Sequence, residues 1–266
     1  MSCSIQDFQT MRRIPLFHAF SLAAVLTFAN PAFGADSAEE LIRKGDVHYD
    51  KLEATEALSF YLPAEKLDPN NVRLLVRMAR EYRHLMSDAR SLTEKIRLGT
   101  VAVKYSDRVV ALAPNDPEAQ LAVAISYGKL LQYQGNKEQF FNSRVIKTAA
   151  DKVIALDPGN DLAWQILGRW KFNVAGIGGL KRVLAQTVYG KLPTATYEEA
   201  VSCFEKAIEL NPKRLMHYVE LGRTCAVMGN NAEARKFINK GLALPDTEKD
   251  DPETKRQGRE ILLQLH

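Results

Sequence analysis

Four basic side chains, Arg73, Arg77, Arg80 and His84, follow one another at steps of four, three and four residues. On an α-helix this spacing sets them along one face. Leu75, Met78, Ala79 and Tyr82 fall on the opposite, apolar face, so the basic stripe points away from the surface on which the helix packs. Two more arginines share a local setting with Arg80. Arg80 directly follows Ala79, Arg169 follows Gly168 and Arg223 follows Gly222. Arginine at all three places matters chemically, because its planar guanidinium offers a rigid fork of donors to carboxylate or phosphate, whereas lysine offers a point charge. These residues predict an anion-binding surface for an acidic peptide, a chain terminus or a phospholipid head group. The competing reading is a solvated charged face, partly paired with neighbours such as Glu81 or Asp88.

Other constellations carry less. His84 and His217 have no cysteine or histidine at ligand spacing, so no metal site is expected. His48 falls in a packing position. No glycine-rich loop follows a strand pattern, so no phosphate cradle is expected. The acidic pairs Glu39-Glu40, Glu198-Glu199 and Asp250-Asp251 sit at helix starts, where they complement the helix dipole. The expectation is a protein without catalytic residues and without a cofactor.

The elements that position the arginines are marked by proline. Leu67-Asp68-Pro69, Leu112-Ala113-Pro114, Leu156-Asp157-Pro158, Leu210-Asn211-Pro212 and Leu244-Pro245 each end a helical stretch, at spacings of 45, 44, 54 and 33 residues. Proline lacks a backbone N–H and disfavours the α region for its predecessor, so each mark stops a helix. Recurrence at this period means stacked helical hairpins, in which the first helix of each pair lines the concave side. The fourth unit (Trp164, Leu167-Gly168, Ala200, Phe204, Ala207, Pro212) is similar to the tetratricopeptide pattern, and the first and fifth also match in both helices.

The fold class expected is all-α: a tetratricopeptide-like right-handed α-solenoid of about five helical hairpins, with an inserted helix in the fourth unit and a C-terminal capping helix. Capping-box spacing starts helices at Ser37/Glu40, Thr196/Glu199 and Asn230/Glu233, and Asp116-Pro117 and Asp251-Pro252 place a cap residue before proline. The insert spans 172–193. Within it a helical run extends from Leu180 to Tyr189, in which Val183, Leu184, Val188 and Tyr189 make an apolar stripe beside the basic Lys181, Arg182 and Lys191. It reads first as a short helix packed on the solenoid, and alternatively as a lid over the groove or a membrane-touching helix.

Composition narrows the class. A net charge of +4 over 266 residues is too small and too dispersed to argue for nucleic acid. Residues 1–35 read as a cleaved signal peptide: Arg12-Arg13, the apolar run Ile14 to Ala29, then small residues at Ala32-Phe33-Gly34. Residues 36–266 then form the solenoid domain, exported to a bacterial periplasm or secreted. The alternatives are an uncleaved membrane anchor and a mitochondrial location. Cys203 and Cys225 read as small buried residues or, in an oxidising compartment, as one disulfide.

Leu167-Gly168-Arg169-Trp170, the stretch Tyr189-Gly190-Lys191-Leu192-Pro193-Thr194-Ala195-Thr196-Tyr197-Glu198-Glu199-Ala200, and Gly241-Leu242-Ala243-Leu244-Pro245 resemble the regulator of microtubule dynamics family. The resemblance implies an all-helical scaffold without enzymatic activity, associated with microtubules, mitochondria and organelle contacts, with phospholipid binding attributed to the fold. A signal peptide departs from that picture, since a microtubule role has no meaning in a periplasm. The leading expectation is therefore an exported, non-catalytic scaffold that holds an acidic peptide or protein terminus. A phospholipid carrier lidded by the insert and an organelle adaptor are the alternatives.

Overall fold

The computed structural model describes residues 36–265, so the signal-peptide expectation for residues 1–35 lies outside the described residues. Five hairpins follow one another: α1 (Ala38–Tyr49) with α2 (Ala54–Leu67), α3 (Val72–Asp88) with α4 (Leu92–Leu112), α5 (Pro117–Leu131) with α6 (Asn136–Leu156), α7 (Asp161–Ala175) with α9 (Tyr197–Leu210), and α10 (Leu215–Val227) with α11 (Asn231–Leu242). Helix α8 (Gly179–Tyr189) interrupts the fourth pair, and α12 (Asp251–Gln264) packs on the fifth. The described residues are helical with no strand, as the period requires.

The proline marks act as stops. Asp68, Ala113, Asp157 and Asn211 each precede a proline and leave the α region with φ between −132° and −140°. The helix starts agree in part. Thr196 and Glu199 close a full capping box, and Ser37 and Asp116 cap α1 and α5 with their side chains. Asn230 makes no capping bond with its side chain, and Asp251 does not cap α12 as expected: the N-cap position falls one residue earlier, on Asp250, whose side chain makes no capping bond either. The Asp251 carboxylate instead turns back to accept from the Thr247 and Glu248 N–H groups at 2.7 and 2.8 Å.

Within a hairpin the two helices approach so closely that a Cβ does not fit. A methyl built on Gly45 would lie 2.3 Å from the Tyr61 ring, on Gly168 2.8 Å from Phe204, and on Gly222 2.5 Å from Ile238. Tyr61, Phe204 and Ile238 are fully buried in the gap thus left open. Each first helix also packs against the first helix of the next pair, from α1 through α3, α5 and α7 to α10, while the second helices α2, α4, α6, α9 and α11 do not pack along one another. The first helices are therefore the inner, tighter row of the solenoid. Cys203 packs with Leu167, Trp170 and Val174, and Cys225 with Phe204 and Leu221; both are free buried thiols.

The insert departs from its first reading. Helix α8 does not pack along the solenoid, and none of its described side chains is buried. Leu180, Val183, Leu184 and Val188 all face outward, Leu180 at 74% exposure. The stripe is real, but the hydrophobic spacing of an amphipathic helix says only that one face is apolar, not what covers it. The helix is held at its base, where Arg182 donates to the Ile177 and Pro193 carbonyls and Leu192 is buried.

Candidate functional site

The inner row repeats a polar register. The residue after the small glycine or alanine is Asp46 in α1, Arg80 in α3, Ile125 in α5, Arg169 in α7 and Arg223 in α10. The residue three places before it is Arg77 in α3 and Glu220 in α10. These positions meet between neighbouring first helices. Asp46 stands 2.6 Å from Arg77 Nε, and Arg169 Nε stands 3.4 Å from Glu220. The same rung is thus built twice with its charges exchanged. Asp46 also holds Arg73 at 3.0 Å and the Tyr61 hydroxyl at 2.7 Å.

A second register stacks arginine on rings. Arg80 lies 4.1 Å from the Tyr49 ring centroid, and Arg223 lies 4.1 Å from that of Phe172. Tyr49 and Phe172 each sit four residues after the small residue of the preceding first helix, Gly45 and Gly168. Below Arg169 that place belongs to Gly128 of α5, four residues after Ala124, and a Cβ there would meet nothing within 4 Å. Arg169 accordingly has no ring beneath it and is 51% exposed.

The six predicted groove residues therefore divide. Arg73 is exposed but paired with Asp46; Arg77 is largely covered and spent on the same carboxylate. Arg80 and Arg223 are stacked, Arg223 also pairing with Glu220. Arg169 stays open. His84 does not join the open stripe, because the second half of α3 is covered where α5 packs over it. It is buried, with Nδ1 3.6 Å from the fully buried Glu81. The carboxylate partners of these arginines are Asp46 and Glu220, with Glu39 at 4.0 Å from Arg73, and not Glu81 or Asp88 as expected.

Sequence reasoning also missed the centre of the site. Arg83 is buried on α3 and donates to Ser126 of α5 at 3.0 Å, and burial pushes its pKa down to about 10. Beside it Lys129 of α5 meets the Asp250 carboxylate at 2.6 Å, and the Ser87 hydroxyl donates to Asp250 at 2.8 Å. Lys249 pairs with Asp88 at 2.9 Å. Residues 246–251 form a strap that links α11 to the first residue of α12, and through Lys249 and Asp250 it reaches back to the C-terminal ends of α3 and α5. Burial alone would raise the Asp250 carboxyl, but the charge and hydrogen bond of Lys129, with the Ser87 hydroxyl, hold it below the usual carboxylate range. Burial lowers the Lys129 ammonium, with Asp250 opposing and the charges of Arg83 and Arg169 adding to the lowering.

The insert contributes nothing to this wall. Helix α8 packs along no groove helix, Arg182 is occupied by backbone carbonyls, and the side chains of Lys181 and Tyr189 lie outside the described ones. Among the described residues no helix is long and apolar enough to cross a membrane, and no group of three His, Cys, Asp or Glu side chains is placed to hold a metal.

The family described as "Regulator of microtubule dynamics protein 1-3" matches residues 41–266 of the chain. Regulator of microtubule dynamics protein 2 of Macaca fascicularis is 26% identical over 228 residues, covering 85% of this chain and 55% of that protein. Regulator of microtubule dynamics protein 1 of Bos taurus is 26% identical over 263 residues, covering 95% of this chain and 82% of that protein. The chain spans about half the length of the first of these relatives. Among solved structures, a thermophilic tetratricopeptide protein of Thermus thermophilus superposes with a TM-score of 0.58 at 14% identity, covering 85% of this chain and all of that one, a likeness of fold alone.

Proposed function

This chain belongs to the regulator of microtubule dynamics family, and we propose that it is a non-catalytic scaffold whose inner groove holds an acidic peptide or protein terminus. Arg169 carries the reading. It stands half exposed on the inner row, in the middle of the arginine register, with a long contact to Glu220 and no ring beneath it. A guanidinium so placed presents its donor fork to a partner carboxylate. The insert stands clear of the groove, which favours a peptide over a lidded lipid carrier. The microtubule and organelle reading rests on the names of the relatives.

The groove predicts a measurable loss. Arg80→Ala combined with Arg169→Ala is expected to weaken binding of a fluorescent Glu/Asp-rich peptide about tenfold, or ~1.4 kcal/mol, and to flatten its dependence on salt. Fluorescence anisotropy at low and moderate salt reads both. Unchanged affinity with an unchanged salt slope would sink the groove reading.

Export is part of the proposal and rests on the basic and apolar order of residues 11–34. Intact-mass measurement of the protein from its native cells is expected to give a chain beginning at Ala35 or Asp36. A chain retaining Arg12 and Arg13 overturns it.

A further inference from the structure

The groove already contains a carboxylate. Asp250 sits on Lys129 and Ser87, 163 residues from Ser87 along the chain, and Lys249 beside it is tied to Asp88. The strap that delivers it, Asp246-Thr247-Glu248-Lys249-Asp250-Asp251, is itself a short acidic peptide. Its shape is fixed partly from within, since the buried Asp251 accepts from the Thr247 and Glu248 N–H groups, and it is anchored from outside by Arg214 on Glu248 and Lys255 on Asp246. Asp250 stands at the N-cap of α12, but its side chain makes no capping bond and is half-buried, so its carboxylate is committed to the cations across the groove and not to its own helix.

The surroundings of that carboxylate match a receptor for acidic side chains. Lys129 stands within electrostatic reach of Arg83 and Arg169, and Arg83 within reach of Arg80. Asp250 and the buried Glu81 therefore answer several converging cations between them, Arg83 among these buried and hydrogen-bonded to the Ser126 hydroxyl. A charge cluster of this kind favours occupation by an anion, because mutual repulsion of the cations is relieved when one is seated.

We propose that the 246–251 strap is an internal stand-in for the partner, and that an acidic peptide binds by putting its own Asp or Glu where Asp250 sits, with the strap swung away. The inference rests on the groove reading above and specifies its central contact. The strap competes at the high local concentration that tethering gives, so the wild-type chain binds free acidic peptide weakly and selects sequences that engage Arg169 as well as Lys129.

The test uses the full-length chain and a labelled Glu/Asp-rich peptide. Asp250→Asn, which keeps the shape and removes the charge, is expected to tighten binding about tenfold; adding Lys129→Met to it should cancel the gain. A second variant joins Ser87→Cys to Asp250→Cys. Oxidised, the strap is locked and binding is lost; reduction of the same sample restores it, so a folding defect cannot mimic the result. If Asp250→Asn binds as the wild type does and the oxidised variant still binds, while Arg80→Ala with Arg169→Ala weakens binding, the strap proposal is overturned and the groove reading stands. If no form binds the peptide, both fall.

Discussion

Gly222→Ala is expected to destabilise the protein by about 1–3 kcal/mol, the cost of overpacking a filled interior, although alanine is the better helix former by ~1 kcal/mol. The added methyl would fall 2.5 Å from Ile238 Cγ1, 3.0 Å from the Ala234 carbonyl oxygen and 3.1 Å from the Ile238 nitrogen. Ile238 is fully buried, and two of the three obstacles are backbone of α11, so no rotamer change relieves the clash. The helices α10 and α11 must part, and with them the seat of α12. Gly128→Ala is the matched control. It too lies in a first helix, but its methyl meets nothing within 4 Å, so it should stabilise by roughly 0.5–1 kcal/mol. Urea midpoints of the two variants are expected to move in opposite directions. A Gly222→Ala midpoint at or above that of the wild type would refute the packing argument.

Asp161→Ala should cost about 2–4 kcal/mol, since it strands buried donors rather than simply deleting a contact. One carboxylate oxygen, Oδ2, accepts Arg214 Nε at 2.7 Å, His217 Nε2 at 2.8 Å and Asn211 Nδ2 at 3.2 Å. It joins the start of α7 to the start of α10, and through Arg214 and Glu248 to the strap. His217 is wholly buried and its Nδ1 has no hydrogen-bond partner, so Nε2 carries the proton and donates to Asp161. Burial would raise the Asp161 carboxyl, but the His217 and Arg214 contacts bring it down to about 2 from the ordinary 3.8. A depressed carboxylate stabilises the fold above its ordinary value and loses that contribution as pH falls from 3.8 through about 2. His217 is lowered from 6.5, by burial first, with Asp161 opposing. A depressed histidine likewise withdraws stability as pH falls below 6.5, because the unfolded chain then binds the extra proton. Both groups predict acid lability in two windows. Urea midpoints at about pH 7.5, 5 and 2.5 should fall stepwise in the wild type. In Asp161→Ala the last step shrinks; an identical pH profile in both would show that Asp161 is not the linked group.

Much of the architecture could be read before the structure, because its determinants are local. A proline acts on its own predecessor and on one helical turn, so Leu67, Leu112, Leu156 and Leu210 each end a helix where the sequence places the stop. The rule has an exception inside α2, where Pro63 is accommodated without ending the helix. The small residues were legible for the same reason: Gly45, Gly168 and Gly222 each face one large residue of the partner helix. The site was legible only in half. Periodicity found the arginines, since three and four residues make one face. It could not find the counter-charges that arrive from neighbouring first helices or, for Asp250, from a distant part of the chain. Asp250 and Asp251 carried every local sign of a helix start, and α12 does start there, but the structure uses neither side chain as a cap. Helix α8 shows the converse limit, an apolar stripe whose spacing was read correctly and whose expected covering is absent among the described residues.

The strap changes the mechanics of the whole chain. A stack of hairpins in which each unit touches only its neighbours behaves as a one-dimensional array, able to fray from either end and to melt piecemeal. The bonds from Asp250 and Lys249 to Lys129, Ser87 and Asp88 tie the fifth hairpin to the second and third. The spring is clasped from its fifth hairpin to its second and third, so that loss of the C-terminal end loosens the middle of the stack. Opening that clasp would leave each hairpin coupled only to its neighbours, so under the strap proposal occupancy of the groove and cooperativity of unfolding would be set by the same few charges.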